Sequence, residues 1–195
     1  SWMPITYPWH LLDANKAVLD RLVKAPLVKE KQVFVEANVT MHGFVHLGKN
    51  TIIKAGTYIE GPVIIGDNGV IGPHAYLRPY TVLGSKVKVG NAVEIKNSII
   101  GNNTHVAHLS YIGDSILGEN VNIGGGTITA NLRHDEEAIT TPIKGVMVDT
   151  HRKKLGAIIG DHVHTGINTS IYPSRKLWPL TTTMPGEVVS KDKEK

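Results

Sequence analysis

The stretch IGDNGVIGPHAYLRPYTVLGSKVKVG, which runs from Ile65 to Gly90, carries an aliphatic residue at every sixth position. The spacing continues on both sides, at Val35, Met41, Leu47, Ile53, Ile59, Ile65, Ile71, Leu77, Leu83, Val89 and Ile95. Four positions after these residues come small or β-branched ones, such as Thr51, Thr57, Val63, Ala75, Thr81, Val87 and Val93. A period of six fits neither an amphipathic helix nor a single alternating strand. It predicts stacked coils of short parallel strands, the hexapeptide repeat of a parallel β-helix.

The repeat has two slips and two interruptions. It shifts by one residue at Ile100 and at Leu117, and after a long gap it returns at Ile159. Glycine often follows the aliphatic residue, so we expect the chain to turn tightly there. The first interruption, residues 8–23, has apolar residues near helical spacing and predicts one helix ahead of the coils. The second, residues 131–156, is polar and predicts a loop or hairpin extruded between two coils.

Composition narrows the class of protein. The 195 residues fit one domain with a short appendage, and the absence of cysteine excludes disulfides and thiolate chemistry. No apolar run suits a membrane span, and residues 1–10 do not resemble a signal peptide, so we expect a cytoplasmic protein without a membrane partner. The net charge of +4 suits small anionic ligands. No cluster of Lys and Arg is interleaved with aromatics, which argues against nucleic acid as a binding partner. The charged tail, residues 190–195, is expected to fray.

Four segments carry a family resemblance: YLRPYTVLG, NAVEIKNSIIG, AHLSYIGD and NVNIGGGTITAN. Together they resemble the C-terminal acetyltransferase domain of the bifunctional sugar-1-phosphate nucleotidylyltransferase/acetyltransferases, the enzymes that make UDP-N-acetylglucosamine. The likeness covers about residues 33–185, and the long insertion resembles the archaeal-type members. It implies a left-handed β-helix that forms a homotrimer. It also implies transfer of acetyl from acetyl-CoA to the amine of glucosamine-1-phosphate, with galactosamine-1-phosphate as an alternative acceptor.

The resemblance also divides the chain. Residues 1–30 are expected to be a linker helix from the end of a nucleotidylyltransferase domain. Residues 31–195 are expected to form the β-helix domain, with a loop insertion at 132–156. The Gly-rich signature of the nucleotidylyltransferase itself does not occur in this sequence, so we do not expect it to transfer nucleotides.

His108 matches the general base of the family. Only a free amine attacks a thioester, and histidine, whose unperturbed pKa is about 6.5, is suited to removing the proton near neutral pH. Read without the family, His108 is better explained as a surface histidine, one of ten in the chain. Glu94, one coil earlier, matches a glutamate near that base, where a carboxylate would orient the imidazole. The alternative for Glu94 is a solvated outward-facing side chain.

Further matched positions bind substrate in the family. Arg78 and Lys96 match the two cations that bind the sugar phosphate, a role that suits charge-assisted hydrogen bonds. Tyr111, Asn122 and Lys154 match sugar contacts, and Asn131 matches the asparagine beside the acetyl-transfer centre. Exposed cations and an asparagine stacked on a coil turn are the structural alternatives to these roles.

The chain also departs from the family pattern. Leu132 replaces the tyrosine that follows the matching asparagine in bacterial-type members, and Ile167 stands where the family has a serine that contacts the cofactor. Residues that bind acetyl-CoA are therefore not assigned. No metal is expected, since His162 and His164 are too few to form a site. Two rival functions remain, a non-catalytic β-helix that only oligomerises or regulates a sugar nucleotidylyltransferase, and an acyltransferase with another acceptor.

Overall fold

A computed structural model describes residues 2–194, and its short parallel strands stack in three sheets. Sheet A contains Val28–Lys29, Val45–Leu47, Val63–Ile65, Thr81–Leu83, Ile99–Ile100, Ile116–Leu117, Ile158–Ile159 and Lys176–Leu177. Sheet B contains Phe34–Val35, Ile52–Ile53, Val70–Ile71, Lys88–Asn91, His105–His108 and Asn122–Ile123. Sheet C contains Thr40–His42, Tyr58–Glu60, Tyr76–Leu77, Glu94–Lys96, Tyr111–Gly113, Ile128–Thr129, Ser170–Ile171 and Val188–Val189. Each of the first six coils adds one strand to each sheet, and isolated bridges at His164 and Thr182 continue sheet B in the last two, which confirms the predicted parallel β-helix.

The repeated aliphatic residues form the core. From Leu47 to Ile95 every one of them is at most 1% exposed, and Val35 and Met41 pack against the same core from the first coils. One coil has too few inward side chains to bury them by itself, so stacking the coils creates the apolar interior. Stacking thereby stabilises strands that are too short to be stable by themselves.

Glycine has a different role from the predicted one at the corner between sheets A and B. Gly48 and Gly66 follow the aliphatic residue, but the left-handed φ falls two positions later, at Asn50 (56°) and Asn68 (58°). A Cβ on Gly66 would lie 2.7 Å from the carbonyl carbon of Gly84. The glycines are therefore required because the backbones of successive coils approach closely at this corner.

Gly90 provides a test of this close approach. A Cβ at this position would lie 1.8 Å from the carbonyl oxygen of Ala107, whereas a Cβ on Gly125 would meet only an ordinary contact at 3.5 Å. We expect Gly90→Ala to lower the free energy of unfolding by about 1–3 kcal/mol because the coils must separate. Gly125→Ala is the matched control and should change it far less. Chemical denaturation of both variants measures the difference, and equal stabilities would contradict the geometry.

Two coils are one residue shorter than the others. Ile64 pairs with Val82 across 18 residues, whereas Val82 to Ile99 and Ile99 to Ile116 span 17 each. The spacing between the aliphatic residues of sheets A, B and C shows that the residue is lost between sheet C and the next strand of sheet A. The predicted slips are therefore two tightened turns at one corner, called here the C–A corner.

The outer face of sheet A is covered by the helix and the extruded segment. Helix α1 spans His10–Leu19, shorter than the predicted 8–23, and no helix within residues 2–194 is long and apolar enough to cross a membrane. A second apolar cluster is formed by Trp9, Leu12, Ile139 and Leu155, with Tyr7, Ile99, Ile116, Ile143, Val148 and Ile158 packed against it. The helix is therefore packed against the solenoid. The first stacked strand, Val28–Lys29, also lies inside the segment predicted as a linker.

The extruded segment contains a hairpin of Thr140–Ile143 and Val146–Asp149, paired antiparallel. The chain leaves sheet C after Ile128–Thr129 and re-enters sheet A at Ile158–Ile159. The predicted extruded loop is confirmed, and its hairpin lies against the side of the solenoid through the second apolar cluster.

The prediction that the tail frays is wrong for residues 190–194, and Lys195 lies outside the described residues. The backbone of Lys193 bridges to Leu177 in the preceding coil. Asp192 forms an ion pair with Lys176 at 2.6 Å, and Lys193 forms one with Glu187 at 2.6 Å. The charged residues that were predicted to fray thus pair with charges of the last coil, and backbone hydrogen bonds fix their register.

Candidate functional site

The outer face of sheet C carries a column of polar side chains. Tyr76, Glu94 and Tyr111 are in register on successive coils, while the next residue along each of their strands points into the core. Arg78 and Lys96 follow where the chain enters the C–A corner. Because side chains alternate along a strand, the six-residue repeat aligns these groups along the solenoid axis.

Arg78 and Glu94 form an ion pair, with Nη1 of the guanidinium 2.8 Å from Oε1 of the carboxylate. This hydrogen bond is the largest influence that raises the pKa of Arg78. The guanidinium carbon also lies 5.7 Å from the ring centroid of Tyr76. Nε of Arg78 is buried without a partner among the described residues, so the guanidinium has hydrogen-bonding capacity that the chain does not use.

A second cluster surrounds the carboxylate of Asp114, which is 3% exposed. Nδ2 of Asn97 lies 2.7 Å from Oδ1, and Nδ2 of Asn131 lies 2.5 Å from Oδ2. Nζ of Lys96 lies 3.5 Å from Oδ2, at the limit of an ion pair. Asp114 and Asn97 were not predicted as site residues, although both lie within the matched motifs. They occupy the two shortened turns of the C–A corner.

Tyr111 joins this cluster through its hydroxyl, which accepts a hydrogen bond from Nδ2 of Asn131 at 3.1 Å. Its ring lies over Gly113, where a Cβ would come within 2.3 Å of the hydroxyl oxygen. Burial raises the pKa of Tyr111, and the charge of Asp114 raises it further. The hydroxyl therefore stays protonated at neutral pH.

His108 and Asn122 lie on sheet B and not on sheet C. Both belong to strands of sheet B, and both are exposed. Within residues 2–194 the side chain of neither residue makes a hydrogen bond, and neither is joined in this way to the groups on sheet C. One chain therefore presents two sets of predicted site residues, one on sheet C with its corner and one on sheet B.

Glu94 was predicted to orient the imidazole of His108, but in this chain its carboxylate accepts from Arg78 instead. His108 is the last residue of its strand in sheet B, whereas Glu94 lies in sheet C one coil earlier. Its effect on the imidazole stays a prediction.

Lys154 is exposed at the base of the extruded segment. Its backbone bridges to Leu132, and the next residue donates a backbone hydrogen bond to the carbonyl of Asn131 at 3.0 Å. The side chain lines an open cleft of about 590 Å³ shared with His10, Asp13 and Lys16 of helix α1. Lys154 is thus next to the cluster in backbone position but not hydrogen-bonded to Tyr111 or Asn131.

The described residues 2–194 contain no group of three or more His, Asp or Glu side chains placed to hold a metal ion. What the sheet C cluster offers is charge and directed hydrogen bonds. Two cations lie beside two carboxylates, and a tyrosine hydroxyl lies beside an amide. Such a set can bind a small ligand that carries both an anionic group and neutral polar groups.

Comparisons with known proteins identify the family of this chain. The family model of the GMPPB C-terminal domain matches residues 59–177. A bifunctional sugar-1-phosphate nucleotidylyltransferase/acetyltransferase from Sulfurisphaera tokodaii is 47% identical over 191 residues, which are 98% of this chain and 47% of that protein. A bifunctional protein GlmU from Methanocaldococcus jannaschii is 48% identical over 176 residues, which are 90% of this chain and 42% of that protein. This chain spans about half the length of the curated relatives it matches.

Among solved structures, an Arabidopsis UDP-N-acetylglucosamine acyltransferase has a TM-score of 0.58 at 15% identity, covering 86% of this chain and 65% of that one. At this identity the likeness shows the fold alone. The family model and the long matches in sequence go further: the chain belongs to the family of the GMPPB C-terminal domain, and its homologues are bifunctional sugar-1-phosphate nucleotidylyltransferase/acetyltransferases.

Proposed function

We propose that this chain is an N-acetyltransferase domain that moves acetyl from acetyl-CoA to the amine of a hexosamine-1-phosphate. Glucosamine-1-phosphate is the first candidate acceptor and galactosamine-1-phosphate the second. The observation that supports this most is the cluster of Arg78, Lys96, Tyr111, Asp114 and Asn131, which a purely structural solenoid does not need. The name of the Sulfurisphaera tokodaii homologue includes both acetyl transfer and a sugar 1-phosphate.

The charges of the site match such an acceptor. A hexosamine-1-phosphate carries an anionic phosphate and an amine that is largely protonated in water. Arg78 and Lys96 supply positive charge for the phosphate, and Glu94 and Asp114 balance it within the site. A nearly neutral cluster of alternating charges suits a ligand that itself has both signs.

In the proposed reaction, the amine nitrogen attacks the carbonyl carbon of the acetyl thioester while His108 accepts the amine proton. A nitrogen–carbon bond forms, the carbon–sulfur bond breaks, and coenzyme A leaves as a thiolate that takes a proton in turn. His108 is suited to this because it is exposed and its side chain makes no hydrogen bond within residues 2–194.

The direct test measures thiol release from acetyl-CoA with the 195-residue chain and a panel of acceptors. The panel contains glucosamine-1-phosphate, galactosamine-1-phosphate, unphosphorylated glucosamine and simple amines. We expect turnover with a hexosamine-1-phosphate and little with the others. Turnover only with an unrelated amine would favour a different acyltransferase, and no turnover with any amine would favour the non-catalytic role.

Assembly gives a separate prediction. The predicted site residues of sheet B and of sheet C share no side-chain hydrogen bond or ion pair within residues 2–194 of one chain, and cyclic packing of copies could bring one set against the other. We expect a homotrimer, so light scattering should give three times the chain mass of 21.2 kDa. A monomer mass at micromolar concentration would contradict both the trimer and a site shared between subunits.

A further inference from the structure

The carboxylate of Asp114 is buried at the C–A corner and held from several directions. Besides the side chains of Asn97, Asn131 and Lys96, its backbone N–H donates to the carbonyl of Lys96 at 2.9 Å, and its carbonyl accepts from the N–H of Gly156 at 2.8 Å. A buried carboxylate is stable only when its oxygens are hydrogen-bonded or paired with charge. Its position is therefore fixed by the fold.

An ionised carboxylate can only accept hydrogen bonds, and this decides how Asn131 is oriented. The NH₂ group of Asn131 must face Asp114, because an amide oxygen in that place would be repelled. The same nitrogen also donates to the hydroxyl of Tyr111 at 3.1 Å. Both N–H groups of Asn131 are then used, while its amide oxygen has no donor among the described residues.

The same reasoning continues to Tyr111. Its hydroxyl oxygen accepts from Asn131, so its own proton is directed elsewhere, and no acceptor for it is present within residues 2–194. The cluster therefore offers a ligand one hydroxyl donor, from Tyr111, next to one amide acceptor, from Asn131. A sugar with neighbouring hydroxyl or amine groups can satisfy both.

We propose that Asp114 is the positioning residue of this site. It sets the direction of hydrogen bonding through Asn131 to Tyr111 and does not itself touch the acceptor. The kinetic part of this proposal depends on the proposed acetyl transfer, whereas the hydrogen-bond order can be observed without any activity.

The key variant is Asp114→Asn, which keeps the shape but removes the charge. An asparagine can donate as well as accept, so it no longer dictates which end of Asn131 faces it. We expect kcat/KM for the hexosamine-1-phosphate to fall about 10- to 100-fold, the effect of losing one charge-assisted hydrogen bond. Asp67→Asn is the matched control. Asp67 accepts from a backbone N–H of the neighbouring coil, away from sheet C, and this variant should retain normal kinetics.

A double-mutant cycle separates positioning from general damage. If Asp114 acts through Asn131, then Asp114→Asn should add little in a background that already carries Asn131→Ala. Effects of the two substitutions that simply multiply would overturn the proposal.

The NMR signals of the Asn131 side-chain NH₂ test the proposal independently of activity. They are assigned by their absence in Asn131→Ala, and we expect them to be shifted and protected in the wild type but not in Asp114→Asn. If that variant does not fold, Tyr111→Phe serves instead, and only one of the two protons should change. If the wild type acetylates no hexosamine-1-phosphate but these shifts occur, the proposed function fails and the positioning stands. Unchanged Asn131 signals in Asp114→Asn, or unchanged signals in Tyr111→Phe where that variant is used, would overturn it.

Discussion

Replacing His108 by alanine is expected to lower kcat for acetyl transfer by about 10²- to 10⁴-fold, the usual effect of removing a positioned acid or base. The substitution removes the imidazole that is proposed to accept the amine proton. His108 is exposed and outside the apolar core, so the melting temperature should change little. Steady-state kinetics with acetyl-CoA and a hexosamine-1-phosphate, together with a thermal melt, measure both effects.

His105 provides the control because it lies on the same strand, three residues earlier. Burial lowers the pKa of His105, and the neighbouring Lys88 lowers it further, so its imidazole is held neutral. Because it was not matched to the base, His105→Ala should retain most of the turnover. Equal losses in the two variants would indicate damage to the strand, and full activity in His108→Ala would mean that another group takes the proton.

The pH dependence of the wild type gives a further check on the same residue. A protonated imidazole cannot accept the amine proton, so kcat/KM should fall as the pH is lowered. Protonation of the substrate amine acts in the same direction. The comparison with His108→Ala is therefore needed, since only the contribution of the substrate should remain in that variant.

Arg78→Ala and Lys96→Ala are each expected to raise KM for the hexosamine-1-phosphate by about 10- to 100-fold, while kcat changes less. Each removes one charge-assisted contact to the phosphate, and that contact is made in the ground state as well as in the transition state. KM for acetyl-CoA should remain nearly constant. Initial rates over a matrix of both substrate concentrations separate these constants.

Lys49→Ala is the matched control, because it removes the same charge from an exposed position at the corner between sheets A and B. It should leave both KM values unchanged. If Arg78→Ala and Lys96→Ala retain wild-type sugar-phosphate kinetics, the phosphate is bound elsewhere, and the lysines beside helix α1 become the next candidates.

The solenoid was predictable because each coil repeats the same sequence pattern, an inward aliphatic residue every six positions. The two slips at Ile100 and Leu117 were visible for the same reason. The contacts of helix α1 were not predictable, since they join Trp9 and Leu12 to Ile139 and Leu155 across more than a hundred residues. Likewise, the pairing of Asp192 with Lys176 depends on which coil lies beneath the tail.

The candidate site was predicted in part by resemblance, yet one local signal could also have located it. In sheet A from Leu47 to Ile159, and in the later coils of sheet B, glycine or alanine follows the inward aliphatic residue, whereas Glu60, Arg78 and Lys96 follow it in sheet C. Charged residues at one corner of an otherwise repetitive coil make that corner a candidate site. Asp114 was missed because a buried carboxylate becomes evident only when its donors, especially Asn131, are placed around it in three dimensions.

The extruded segment re-enters the solenoid in the register it left, with Leu117 paired to Ile159 and Ile128 paired to Ser170. Stacking of the coils therefore does not depend on how many residues the excursion contains, and the entropy of closing a loop grows only slowly with its length. The two ends of the excursion meet beside Asn131 and Lys154. Insertions and deletions there can change the residues beside the candidate site while the stacked coils stay constant. Related chains can therefore differ in acceptor preference on an unchanged scaffold.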